Sequence, residues 1–132
     1  MLRRNTLMIA AAIASTIASA VPAEAVEYAP FSRTAFDAAQ AAGQPILVDV
    51  AAWWCPVCAS QEHTIKAATS DPRYTHLTIF KINYDKQKAE WKSFGVAKQG
   101  TLIAFKGHRE IGRIAFQTDK TQITNLLQST VR

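Results

Sequence analysis

The sequence predicts an α/β domain, a four-stranded mixed sheet with helices on both faces. Three observations carry that prediction. Ile46, Leu47, Val48 and Val50 form a nearly continuous apolar run, and THLTIFKINYD is a second run rich in β-branched and aromatic residues. A helical stretch separates them, so the two strands should lie parallel, joined by a right-handed crossover. Two later runs, TLIAFK and REIGRIAF, flank Gly107-His108 and read as an antiparallel hairpin. The third observation is length: residues 26–132 are enough for one core and too few for two.

Residue 26 is the start because the chain opens like a secretory leader. Arg3 and Arg4 give a short basic start, residues 7–21 carry no charge, and Ala23-Glu24-Ala25 is a small-x-small cleavage site. The apolar stretch is short for a membrane span, which needs about 20 residues. The expected organisation is a signal peptide over 1–25, cleaved after Ala25, and one domain over 26–132. Cleavage after Ala20 and an uncleaved membrane anchor are the second choices.

The elements follow in order. Residues 26–31 should be an extended lead-in, because Pro30 opposes a helix. Ser32 can cap a helix through SRTAFDAAQAA that Gly43 ends. Pro45 opens the first strand, PILVDVAA. The next helix should begin at the cysteines and run to about Ala68, with a break at Asp71-Pro72. After the second strand, KQKAEWKSFG reads as a short helix ending near Gly95. After the hairpin, TDKTQITNLLQSTV closes as an amphipathic helix with Ile123, Leu126, Leu127 and Val131 near helical spacing.

The formal net charge is +5, falling to +4 without the leader. The basic residues are scattered, with no block of like charge and no basic-aromatic repeat. A soluble cationic surface is the expectation, not a nucleic-acid partner.

Cys55 and Cys58 are the two cysteines of the chain. They fall where the first strand hands over to a helix, the end of an open α/β sheet at which active sites sit. With Cys55 at the N-cap, Pro56 takes the first helical position, where a missing N–H does no harm. Unpaired N–H groups and the helix dipole there favour negative charge. Cys55 is thus the expected attacking thiolate and Cys58, one turn in, the resolving thiol. A structural disulfide across so short a loop gains little. A zinc site needs more ligands, and His63, His76 and His108 are its candidates. Copper binding by the cysteine pair remains the rival reading. Asp49 and Lys81 sit mid-strand in ILVDV and IFKIN. A carboxylate and an ammonium beneath the cysteines would let Asp49 take a proton from Cys58 through water, burial raising the Asp49 pKa and Lys81 opposing the rise.

These residues resemble the thioredoxin superfamily across most of the mature chain. ILVDVAAWWCPVC is similar to the family's strand, buried acid, tryptophan and redox motif, with Asp49 six residues before Cys55. Lys81 in FKINYD matches the lysine of the second core strand, and FGVAKQGTLIAFKGHRE matches the segment carrying the substrate loop. The resemblance implies a thioredoxin-like fold and a thiol–disulfide oxidoreductase acting on protein substrates. Cys55, Cys58, Asp49 and Lys81 would be catalytic. Trp54, Pro56, Val57, Gly100 and Thr101 would shape the docking surface. No organic cofactor and no metal are implied.

Two departures stand out. Gly100 occupies the family's cis-proline position; a cis bond without proline costs about 2.5–4 kcal/mol, so the Gln99–Gly100 bond should be trans. Ala51 stands where many thioredoxins carry a large aromatic residue. Between the cysteines, Val57 offers no donor to the thiolate, which points to a reductant more than a strong oxidant. TSDPRYTHLTIFKINYD resembles exported thioredoxin-like domains fed by a membrane-embedded thiol reductase. The expectation is a monomeric periplasmic protein of that kind.

Overall fold

The computed structural model describes residues 14–19 and 26–132. The expected leader, residues 1–25, lies outside the described residues except for 14–19. The elements are β1 (Glu27–Pro30), α1 (Arg33–Ala41), β2 (Pro45–Ala51), α2 (Pro56–Ala68), β3 (Thr78–Asn83), α3 (Lys88–Ser93), β4 (Thr101–Lys106), β5 (Arg109–Ala115) and α4 (Lys120–Thr130). A single 3₁₀ turn at Pro72–Tyr74 fills the break at Asp71-Pro72.

The sheet has five strands in the order β1-β3-β2-β4-β5. β2 pairs parallel with β3 and antiparallel with β4, and β4 forms the hairpin with β5. The α/β thioredoxin-like class is as predicted, but the strand count is corrected from four to five. The lead-in is a short edge strand that pairs parallel with β3. Pro30 does not prevent this. An edge strand needs ladder bonds on one side only, which is where a sheet tolerates proline. The Phe31 N–H, one residue on, donates to the Lys81 carbonyl at 2.9 Å.

Local chemistry sets the helix starts. The Ser32 side chain accepts from the Ala35 N–H, and Asp119 accepts from Gln122 in the same way at the start of α4. Such a cap contributes about 1 kcal/mol by satisfying one orphan donor.

Alternation along the strands divides the core in two. Ile46, Val48 and Val50 of β2 face one side with Phe80, Ile82, Ile103 and Phe105, against Phe36 of α1 and Trp91 of α3. Leu47 faces the other side with Ile79, Leu102 and Ala104, against Ile65 of α2 and Ile123, Leu126 and Leu127 of α4. With a side-chain period of two, Asp49 falls on the Leu47 face, the one that α2 covers. Strand pattern thus places the acid under the helix that carries the cysteines.

The first face is locked by aromatic rings. Phe36 meets Phe94, Phe105, Phe31 and Phe80 with centroids 5.3–5.9 Å apart. Phe36→Ala is expected to cost about 3–5 kcal/mol in urea unfolding, the range for emptying a buried aromatic site. A loss under about 1 kcal/mol would show that α1 does not depend on this ring.

Candidate active site

The end of β2 and the start of α2 build the site. The Cys55 N–H donates to the Ala52 carbonyl at 3.2 Å, turning the chain out of the strand. Cys55 is the N-cap of α2 with extended backbone, and Pro56 follows in the first turn. Cys55 and Cys58 are joined by a disulfide with Cα atoms 5.3 Å apart. The Cys58 N–H donates to the Cys55 sulfur at 3.1 Å. One of the helix's orphan donors is therefore aimed at the atom that would carry negative charge once the bond is reduced. Both cysteines are buried in this oxidised form, so exposure does not tell them apart.

Asp49 lies behind the pair, 3% exposed, and its Oδ1 is buried without a hydrogen-bond partner among the described residues. Burial lifts its pKa from the ordinary 3.8 to about 6; Lys81 pulls it down and Glu62 pushes it up. The opposition between burial and Lys81 was legible in the sequence. Glu62 was not.

Lys81 is the β3 partner of Asp49 in the sheet register. Its side chain is half-buried, and its ammonium reaches out to the Glu62 carboxylate at 3.4 Å instead of pairing with Asp49. The sequence placed an ammonium beneath the cysteines; the structure places it on Glu62, lining the same cleft as Cys55 and Cys58. Glu62 also holds Lys66 at 2.9 Å, and these lysines pull its own carboxyl below the usual range. It sits on α2 one turn after Cys58. A helical i, i+4 relation to Cys58 was the available signal.

Cys55, Cys58, Trp53, Glu62, Lys81, Asn83 and neighbouring residues line a cleft of about 590 Å³ that opens beside the disulfide. It has room for water between Cys58 and the Glu62–Lys81 pair.

Trp54, directly before Cys55, is exposed, with its indole N–H donating to both Asp85 oxygens at 3.0 and 3.2 Å. Its ring meets Tyr84 edge-on, and Tyr84 stacks on Trp91. Asp85 is a second residue that sequence reasoning missed, because it lies 31 positions away in the turn after β3. Trp53 is 91% exposed. Pro56 is exposed and Val57 half-buried.

The Gln99–Gly100 peptide is trans and Gly100 has φ +80. The Gly100 N–H donates to the Val50 carbonyl at 2.7 Å, a bond that a proline could not make. Its carbonyl accepts from the Phe116 N–H at 2.8 Å and from Gln61 Nε2 at 2.9 Å. Thr101 is buried and its hydroxyl donates to the Lys98 carbonyl, so it shapes the loop from within. The three histidines are scattered over the chain. Among the described residues no three His, Cys, Asp or Glu side chains form a metal-holding group.

A family model described as thioredoxin matches residues 27–129. The thioredoxin of Chlamydia pneumoniae is 34% identical over 92 residues, covering 70% of this chain and 87% of that protein. The crystal structure of Trxlp from Edwardsiella tarda is 40% identical with a TM-score of 0.73, covering 76% of this chain and 98% of its own. A mutant thioredoxin of Halobacterium salinarum, at 22% identity and TM-score 0.67, covers 83% of this chain and 94% of its own and shares the fold.

The Asp49 shift has a consequence for stability. Its folded value lies above its unfolded one, so its contribution is complete below pH 3.8 and is lost as pH rises through about 6. Measured by urea unfolding against Asp49→Asn, the wild type should lose about 2 kcal/mol between pH 4 and 8. Glu62→Gln removes a negative neighbour and should move that loss to lower pH. A difference that stays flat across the range would contradict the assignment.

Proposed function

The chain belongs to the thioredoxin family and is a thiol–disulfide oxidoreductase, and from that premise we propose that it is an exported reductant of protein disulfides. The observation that carries the reading is the helix-terminal placement of the pair, with the Cys58 N–H aimed at the Cys55 sulfur and a raised, buried Asp49 behind it.

The steps follow from that geometry. In the reduced protein the Cys55 thiolate attacks one sulfur of a client disulfide. A Cys55–client disulfide forms, and the first client thiolate leaves and takes a proton. Asp49, with a pKa of about 6, is mostly ionised near neutral pH but holds a proton far more readily than an ordinary carboxylate. It accepts the Cys58 proton through a bridging water. The Cys58 thiolate then attacks the Cys55 sulfur, the Cys55–Cys58 disulfide forms, and the second client thiolate leaves. Two electrons pass to the client. Lys81, held by Glu62, keeps a positive charge close enough to stop Asp49 from rising further. Return to the dithiol needs an outside thiol reductant, for which a membrane-embedded thiol reductase is the proposed class.

The docking surface has Trp54 on one side and the Gly100 loop on the other, with Pro56 and Val57 between. Among the described residues neither the backbone N–H nor the C=O of Gln99 has a hydrogen-bond partner. Gln99 is 9% exposed, and an extended client segment would pair with that edge by β-augmentation. Val57 gives the Cys55 thiolate no side-chain donor, which supports reduction over strong oxidation. The basic, apolar and small-residue leader supports export, and the periplasm is the proposed compartment.

Trapping tests the reading. Cys58→Ser, expressed in the native host, should accumulate mixed disulfides through Cys55 that dithiothreitol releases. The Cys55→Ser, Cys58→Ser protein should show none. No adduct, together with tight stoichiometric copper binding by the wild type, would favour a metal-delivery role instead.

Export has its own test. The intact mass of the protein recovered from its host should correspond to a chain starting at Val26. A mass that retains Met1 would contradict cleavage.

A further inference from the structure

The loop side of the disulfide carries an arrangement that the exchange steps do not use. Phe116 follows β5 directly with φ +58, the one non-glycine residue at positive φ among the described residues. Bulky side chains rarely adopt that conformation. Where one does, the surrounding structure holds it there, often at a functional surface. Here the Phe116 N–H is tied to the Gly100 carbonyl at 2.8 Å. Gln61, fully buried on α2, clamps both segments by donating to the carbonyls of Gly100 and Gln117 at 2.9 and 2.8 Å.

The result is that Phe116 takes the space beside Gly100. A Cβ on residue 100 would lie 3.2 Å from Phe116 Cδ2 and 3.4 Å from Val57 Cγ1. The ring and Val57, one of the two residues between the cysteines, thus border the same space at Gly100, and the ring is 41% exposed. Gly100 and Phe116 form one unit: the glycine leaves the room and the ring fills it.

Lys98 completes the unit. Its ammonium lies 3.7 Å from the centre of the Phe116 ring. The side chain is exposed, and among the described residues no carboxylate pairs with it. A cation on an aromatic face is held in place without being neutralised. Gln99, with its unpartnered backbone, sits between Lys98 and Gly100. A client segment docked on this loop would meet this fixed positive charge at the exposed Lys98.

We propose that Phe116 and Lys98 form a client-selecting wall that favours disulfides with a carboxylate next to the reacting cysteine. The inference rests on the thiol–disulfide exchange reading and names its substrate class. Phe116 positions the ammonium, and Lys98 meets the client.

The test uses the reduced full chain and two disulfide-bonded peptides that differ only in Glu or Lys beside the cysteine. Rate constants are taken at low ionic strength and normalised, for each variant, to that with bis(2-hydroxyethyl) disulfide. The wild type should favour the Glu peptide about three- to tenfold, the scale of one partly exposed charge pair. Lys98→Glu should reverse the order. Phe116→Ala should shrink the preference by releasing Lys98. Lys106→Glu, at the far end of β4, makes the same change of net charge and should leave the preference in place. A wild-type ratio near one, or an equal change in Lys98→Glu and Lys106→Glu, would overturn the wall. Should the ring variant fail to fold, the exposed Lys98 substitution still decides. No reaction with any disulfide, the small one included, would instead remove the exchange reading beneath it.

Discussion

The rest of the site depends on one backbone hydrogen bond, from the Cys58 N–H to the Cys55 sulfur at the first turn of α2. A helix leaves its first N–H groups without partners inside the helix. Most helices satisfy them with serine, threonine or aspartate, as α1 and α4 do here. At α2 the capping atom is a sulfur that is bonded in the oxidised form and, in the proposed mechanism, anionic after reduction. The cap therefore strengthens when the disulfide opens, since a charged acceptor makes the stronger bond. That couples helix geometry to redox state without any further group. Pro56 holds the entry to the helix, and the Ala52 carbonyl fixes the turn before it.

The sheet supplies the second ingredient. Two-residue alternation sends Val48 and Val50 to the aromatic face and Asp49 to the face beneath α2. A carboxyl buried there is uncomfortable when charged, and the Glu62–Lys81 pair at the cleft sets how uncomfortable. A shift from 3.8 to about 6 represents about 3 kcal/mol of preference for the protonated form. For a domain of this size that is a sizeable part of total stability. The aliphatic and aromatic clusters on the two faces let the fold tolerate it. A carboxyl of ordinary pKa would be fully ionised near neutrality and a poor acceptor for a thiol proton, so the cost and the usefulness share one origin.

What the sequence made legible was local or periodic. Strands β2 to β5 and all four helices could be read from runs, caps and breakers, and so could the N-cap place of Cys55. β1 was read only as extended, because pairing with β3 is a tertiary contact and Pro30 argues locally against regular structure. Asp49 was visible because a carboxylate interrupts an apolar strand. Glu62, Asp85 and Phe116 were not visible as site residues. Glu62 looks like any helix-surface acid until Lys81 reaches it from another strand. Asp85 meets Trp54 across 31 positions. Phe116 reads as the end of a strand until its φ and its contact with Gly100 are known. Gly100 lies between these cases: the trans peptide could be anticipated from glycine's chemistry, but the bond from its N–H to Val50 could not.

The central claim is that the first turn of α2 makes Cys55, and not Cys58, the reactive sulfur of the dithiol. Limited alkylation of the reduced protein with iodoacetamide at pH 7, mapped by peptide mass spectrometry, tests it most directly. The account predicts that the first adduct forms at Cys55, with Cys58 modified far more slowly. Label appearing first at Cys58, or equally at both, would contradict it.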